Sequence, residues 1–367
     1  MTGFGRVERY VIGQMLLGVI AALAVITAVV VLIQFVELSS QVGTRVEVSA
    51  VSIFELTLLR VPSLVQILLP FCFLGGGMIA FVGLNRRSEL VAMRAAGVSA
   101  WRFILPSAIC ALLLGVLCVG ALNPMAANLN ARFEVRREQV MENYLGDQPR
   151  DIWLRQGDET TQIVIHARDR DSRQGAVTFR GVSLFIYEKN DRGIPAFRRR
   201  LEASEATLLQ GFWSLKNVRE ATAGASSMRS ETLTLKSTLD AEAAMESLAS
   251  PETIPFWRLP TAIRLTEQAG FSGSGYELRF QQLLATPLLF AAMTVLAAAF
   301  SLRLTRLGGL AGIAGVGVAL GFVMFFFNQF AGALARADIV PLFAAAWAPA
   351  VVALLSGITL LCYTEDG

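Results

Sequence analysis

The residues best arranged for specific chemistry in this 367-residue chain form one short run: Asn85-Arg86-Arg87-Ser88-Glu89-Leu90-Val91-Ala92-Met93-Arg94-Ala95-Ala96-Gly97-Val98-Ser99. It reads as a cationic helix of about three turns over about 86–98. Ser88 can cap the first turn with its hydroxyl, Glu89 stands where the helix dipole favours an anion, and Gly97 supplies a left-handed stop. Leu90, Met93 and Ala96 or Gly97 recur at helical spacing and make one apolar face, while Arg87 and Arg94 lie elsewhere on the surface. A helix this short is marginal alone in water and needs something to pack on. The chemistry on offer is docking; the plainer reading is a positively charged loop that only fixes membrane topology.

Catalytic chemistry finds little support. The chain has no GxxxxGK[ST] motif, so it has no P-loop of its own. His166 is the only histidine and sits in a strand-like run, which excludes His-based triads and multi-histidine metal sites, and no CxxC pair exists. The serines have no evident base partner. The expectation is therefore no catalytic residue, no metal and no cofactor in this chain.

Polar residues at membrane depth are costly and usually face a cavity or a partner. Gln34 and Glu37 end the first apolar stretch, while Arg60, Ser63 and Gln66 open the second at the same level, with Glu55 just before them. They either ring the outer mouth of a cavity or snorkel to the interface. Asn328 and Gln329 admit the same two readings. Gly75-Gly76-Gly77 and the series Gly308, Gly309, Gly312, Gly315, Gly317 and Gly321 permit close helix packing, or mobility in a gating cycle.

The elements that must position these residues follow from composition. Hydrophobic residues make up 54% of the chain and charged ones 17%, the balance of a protein that crosses a membrane repeatedly. Residues 123–280 hold 21 basic and 21 acidic residues, so the net charge of +3 comes from the flanks, and no nucleic-acid partner is suggested. Apolar spans read at about 11–33, 61–84, 101–122, 281–302, 310–332 and 341–362, each near the roughly 20 residues a bilayer core requires. The first reads as an uncleaved anchor. Arg6, Arg9, Arg86, Arg87, Arg94, Arg102, Arg303 and Arg306 fall on one side of these spans, and only Arg45, Arg60 and Arg336 on the other. This imbalance puts both termini and the Arg86 run in the cytoplasm and the central block outside it. Cys72, Cys110, Cys118 and Cys362 all lie in spans, so the outer block folds without disulfides.

The organisation is thus a first membrane half over 1–122, a helical stalk over 123–150 after a break at Asn123-Pro124, a β domain over 151–250, a connecting helix and linker over 251–280, and a second membrane half over 281–367. The β domain rests on alternating runs at 162–166, 182–187, 206–209, 212–215 and 232–235, with turn signals at Arg192-Gly193 and Gln210-Gly211, and predicts an antiparallel sandwich or jelly roll. The fold class is an α-helical polytopic membrane protein of six spans, three plus three, with an inserted all-β domain.

Particular residues carry a resemblance over essentially the whole chain: Glu8-Arg9-Tyr10 entering the first span, Val61-Pro62 and Leu69-Pro70 in the second, and above all Arg87-Ser88-Glu89-Leu90-Val91-Ala92-Met93-Arg94-Ala95-Ala96-Gly97. The chain resembles the permease subunits of the bacterial lipopolysaccharide exporter, the LptF/LptG type, and the basic residues before Ser88-Glu89 look more like LptG. The resemblance implies that Arg86 to Gly97 is a coupling helix seated on a cytoplasmic ATPase dimer of LptB type, which would bind ATP and magnesium. Glu89 would be its acidic contact, with Leu90, Met93 and Gly97 packing. It also implies a paralogous LptF-type permease, a single-span LptC-type bridge subunit, a periplasmic LptA-type bridge protein, and lipopolysaccharide as cargo drawn from the inner membrane. Family members often carry lysines where Gln34 and Ser63 stand here, which shifts head-group pairing to Arg60, Arg132, Arg136 or Arg137, or to a lipid with fewer phosphates. The alternatives are another ABC-type envelope permease, for lipoprotein release or mechanotransmission, typically with four spans and its outer domain after the first, and a non-transporting envelope scaffold.

Overall fold

A computed structural model describes residues 5–42, 49–145, 152–157, 161–171, 177–189, 195–209, 211–222, 227–237, 250–268, 272–304 and 310–365. The chain divides into two compact units, one built from Met1–Gln139, Pro251–Trp257 and Glu277–Gly367, the other from Val140–Ser250 and Arg258–Tyr276.

The first unit is helical. Its elements are α1 (Arg6–Val42), α2 (Ala50–Arg86), the short α3 (Glu89–Ala95), α4 (Ala100–Leu117) and α5 (Asn123–Leu145), followed after the β domain by α7 (Ser274–Leu304), α8 (Leu310–Arg336) and α9 (Leu342–Glu365). Among the described residues six helical stretches are long and apolar enough to cross a membrane, with α4 and α5 running together as the third. The first five helical stretches each contain one of the predicted spans and extend past it, and the sixth begins one residue into its span, at Leu342. Hydropathy marks only the part that hydrocarbon must cover, about 20 residues, whereas α1 and α2 are each 37 residues long. The β domain lies between the third and fourth of these stretches, unlike the four-span arrangement with a domain after the first.

The expected break at Asn123-Pro124 does not occur. A five-residue π turn, Cys118–Leu122, carries α4 directly into α5, and the Asn123 N–H donates to the Cys118 carbonyl. Pro124 has no N–H to offer the carbonyl four residues back, that of Gly120. That carbonyl instead accepts the Trp257 indole N–H at 3.1 Å. The π widening and an outside donor together absorb the proline without ending the helix.

Among the described residues two large apolar clusters and a smaller one, of Leu278, Ala331, Ala335, Ala345 and Ala346, hold this unit. One of the large clusters packs Met15, Cys72, Phe73, Leu74, Cys118, Phe290, Met293 and Leu296. The other gathers Val11, Phe81, Leu84, Phe103, Ile104, Val295 and Leu361 around the end of the bundle that carries α3. Cys72 and Cys118 act as small core hydrophobes, as free thiols in the interior do. Cys362 is exposed.

The second unit is an antiparallel sheet of β1 (Ile152–Gly157), β2 (Thr161–Ala167), β3 (Asp169–Asp171), β4 (Val177–Lys189), β5 (Pro195–Leu209), β6 (Phe212–Thr222) and β7 (Met228–Lys236), together with α6 (Leu259–Gln268). The strand order is β1-β2-β4-β5-β6-β7, with β3 paired to β4. The expected jelly roll thus takes the form of a meander that rolls up rather than of two interlocked Greek keys. Alternate residues, among them Ile165, Phe179, Leu184, Leu201, Trp213 and Leu215, fill one inner face. On the other face Trp153 and His166, directly opposite in the β1–β2 register, stack at 4.4 Å between ring centroids.

A polar clasp closes the roll. The Gln156 carbonyl oxygen on β1 accepts the Trp213 indole N–H at 3.0 Å and the Ser237 hydroxyl at 2.9 Å, just past the end of β7. The two outermost strands of the sheet therefore meet at one buried amide. Replacing Gln156 with leucine would leave the buried Trp213 indole N–H without its acceptor, at a cost of about 1–3 kcal/mol. Thermal unfolding of the full chain followed by tryptophan emission should show the β domain melting earlier.

Candidate functional site

The Arg86–Ser99 run does not form a single helix. Arg86 is the last residue of α2, Arg87 follows as its cap, and Ser88 turns the chain with φ of 59° before the seven residues of α3. The left-handed turn at Ser88 is what cuts the expected three turns to two. Ser88 caps with its backbone carbonyl, which accepts from the Ala92 N–H at 2.9 Å, and its hydroxyl has no partner among the described residues. Gly97 does adopt the left-handed stop, φ 79°. The Val98 N–H then bonds back to the Met93 carbonyl at 3.0 Å.

The apolar face of α3 points inward. Leu90 is fully buried in the cluster with Phe81, Leu84, Phe103 and Ile104, and Met93 packs against the same cluster. Leu90 anchors the turn to its own bundle, and Met93 packs against it half-buried, with part of its side chain still on the surface. The outward side presents Arg86, Arg87, Ser88, Val91, Ala92, Ala95, Ala96 and Gly97, with Val91 57% exposed. Arg94 lies on α3 with its side chain outside the described set. Glu89 is half-buried and accepts from the Tyr10 hydroxyl at 3.3 Å, and Glu8 pairs with Arg102 at 3.6 Å. The start of α1, the turn α3 and the start of α4 are thereby tied into one corner.

At the other end of the bundle the predicted polar rim resolves into ties between helices. Ser63 donates to the Ala126 carbonyl at 3.0 Å, and the Gln66 carbonyl oxygen accepts from the Asn123 amide at 3.3 Å. Arg60 lies over the Phe133 ring at 5.1 Å. Arg137 donates to Gln41 at 3.2 Å, and Gln41 in turn donates to Glu37. These contacts join α5 to α1 and α2. Arg132 and Arg136 are exposed on α5, as is Glu37 on α1. Gln34 is 3% exposed, and its amide nitrogen has no partner among the described residues.

A cavity of about 70 Å³ opens between α2, α7, α8 and α9. Its polar lining is Gln66, Arg279, Gln282, Thr286 and Asn328, and its apolar walls include Ile67, Pro70, Phe71 and Leu289. Sequence reasoning missed Arg279 because hydropathy started the fourth span at 281, whereas α7 begins at Ser274 and carries Arg279 into the bundle. The available signal was its spacing from Gln282 and Thr286, which puts all three on one face of a continuing helix.

Comparison with known proteins gives a consistent result. A family model described as "Lipopolysaccharide export system permease LptF/LptG" matches residues 9–363. The chain is also similar to the protein named "Lipopolysaccharide export system permease protein LptG" from Escherichia coli strain K12, at 22% identity over 378 aligned residues covering 98% of this chain and 99% of that protein. The protein of the same name from Escherichia coli O6:H1 strain CFT073 matches to the same extent.

Proposed function

The chain belongs to the LptF/LptG family of lipopolysaccharide export system permeases, a multi-pass membrane transporter subunit, and we propose that it acts as the LptG-type half of an ABC exporter driven by a separate cytoplasmic ATPase dimer. The match across 9–363, spanning both helical halves and the inserted β domain, carries this reading. In this reading the α3 corner and both termini face the cytoplasm, in line with the arginine imbalance. The β domain stands in the periplasm, and an LptF-type permease completes the transport cavity. LptC-type and LptA-type proteins receive the lipid, and ATP and magnesium reside in the partner.

The physical problem is to move acyl chains without wetting them. Each buried CH₂ is worth about 0.8 kcal/mol, so exposing several chains would cost tens of kcal/mol and the route must stay apolar. Force delivered to α3 passes through Leu90 into α1, α2, α4 and α7 together, because Val11, Phe81, Phe103 and Val295 share its cluster. A packed core transmits such a push as a rigid-body tilt. Head-group contacts fall to the accessible cations Arg60, Arg132, Arg136 and Arg137, with Gln34, Glu37, Ser63 and Gln66 setting the helix spacing around them.

Two arms test the assignment. Purification from native membranes in mild detergent, with mass spectrometry, should recover the ATPase, the second permease and lipopolysaccharide; recovery of none of them would remove the transporter reading. Val91 and Leu90 separate docking from anchoring. Val91→Asp should strip the ATPase from the complex with stability changed by less than about 0.5 kcal/mol. Leu90→Ala should cost about 2–5 kcal/mol in thermal unfolding of the isolated chain.

A further inference from the structure

The cavity between α2, α7, α8 and α9 is lined by hydrogen-bond donors whose orientation the fold dictates. The Phe256 backbone N–H donates to the Asn123 side-chain oxygen at 2.8 Å, so that oxygen must be the acceptor and the Asn123 NH₂ the donor. The Asn123 NH₂ reaches Gln66 at 3.3 Å, so the atom it meets must be the Gln66 oxygen. Gln66 is 6% exposed, lines the cavity, and its remaining NH₂ has no partner among the described residues. An amide whose flip would otherwise be undetermined is thus fixed with its donor unspent.

Arg279 adds a guanidinium, a group with donors only. Glu252, exposed on the turn Pro251–Thr253, interacts with it electrostatically, yet no carboxylate among the described residues closes to ion-pair distance. Gln282 and Asn328 extend the polar lining. At about 70 Å³ the space is several times the roughly 10–15 Å³ a single water needs. Water would satisfy Gln66 but would leave the part-buried Arg279 with no anion at contact distance, only the through-space pull of Glu252.

We propose that this cavity is an oxyanion site of the phosphate class, in which Arg279 supplies the charge and the Gln66 amide a fixed donor. Arginine's planar fork suits two oxygens of one phosphate, and the apolar walls strengthen both contacts. The phosphate comes either from a lipid head group or from solution. The site stands apart from the transport reading, since it is assayed on the isolated chain with no ATPase present.

The test uses the full chain in mild detergent, titrated with inorganic phosphate by thermal shift, and in phosphatidylcholine nanodiscs with rising phosphatidylglycerol, where native mass spectrometry counts retained phosphatidylglycerol. Arg279→Gln and Gln66→Leu should each raise the half-saturating concentration about tenfold or more, and Arg279→Lys should recover part of the loss. Glu252→Gln, which removes the competing carboxylate, should tighten binding; a purely structural Arg279 predicts no such gain. A response to phosphatidylglycerol alone identifies a lipid source, and a response to inorganic phosphate as well identifies a site open to solution; either supports the proposal. Equal responses from wild type and Gln66→Leu, or no response to either probe, would overturn it. Should Arg279→Gln fail to fold, the Gln66 and Glu252 variants decide.

Discussion

On the proposed docking of an ATPase at α3, exchanging Glu89 for lysine is expected to leave a folded chain and an ATPase that still hydrolyses ATP in proteoliposomes, while lipopolysaccharide release falls more than about tenfold, since disrupting one side of a desolvated charge pair there would cost about 2–5 kcal/mol. Folding should survive because the anchor of α3 is Leu90, buried in its own bundle, and not Glu89. The only described side-chain partner of Glu89 is Tyr10 at 3.3 Å, an exposed contact of little energetic consequence. Lysine there would add a third cation to Arg86 and Arg87 at the start of the turn. Tyr10→Phe distinguishes two roles for the carboxylate. If Glu89 matters through the ATPase, Tyr10→Phe should retain nearly full coupled release; if it matters through its tie to α1, Tyr10→Phe should match the lysine variant. Unchanged release by Glu89→Lys would remove Glu89 from coupling altogether.

Hydropathy made the six membrane segments legible because a bilayer imposes a length on apolar runs. What it could not mark was where helices continue as polar residues beyond that length. Arg279 was lost for that reason, and with it the cavity. The Asn123-Pro124 pair looked like a stop because a proline removes a donor; nothing local shows that Trp257, 137 positions after Gly120, supplies the replacement. The apolar stripe of α3 was read correctly as a stripe, yet Leu90 and Met93 at helical spacing fit an outside groove and the chain's own core equally well. Only packing tells which, and here the core takes Leu90 whole and Met93 in part. In the β domain the alternation located the strands, while the rolling of the meander depends on Gln156 meeting Ser237, 81 residues away. The family signal lay in the same run as the docking signal, which is why function was more legible than the placement of individual side chains.

The three adjacent glycines of α2 make the sharpest stability prediction, since they share a helix, a depth and a residue type. A Cβ on Gly76 would lie 2.5 Å from the Gly18 carbonyl carbon and from Val19 N and Cα, all backbone atoms of α1. The reverse substitution at Gly18 would press on the Gly76 carbonyl oxygen. Backbone cannot rotate aside as a side chain can, so the helices must separate and forfeit contacts along the crossing. Only 11% of the most apolar stretch of α1 is buried within the chain, and its attachment to α2 is therefore its main hold. Gly76→Ala should cost about 3 kcal/mol, the upper end for overpacking, and Gly76→Val more. Gly75 has nothing within 4 Å of an added Cβ, so Gly75→Ala should be neutral or stabilise by about 0.5–1 kcal/mol through helix propensity. Thermal unfolding and the monodisperse fraction after detergent extraction read both effects in one experiment. If Gly75→Ala and Gly76→Ala behave alike, α1 and α2 do not cross at Gly18 and Gly76.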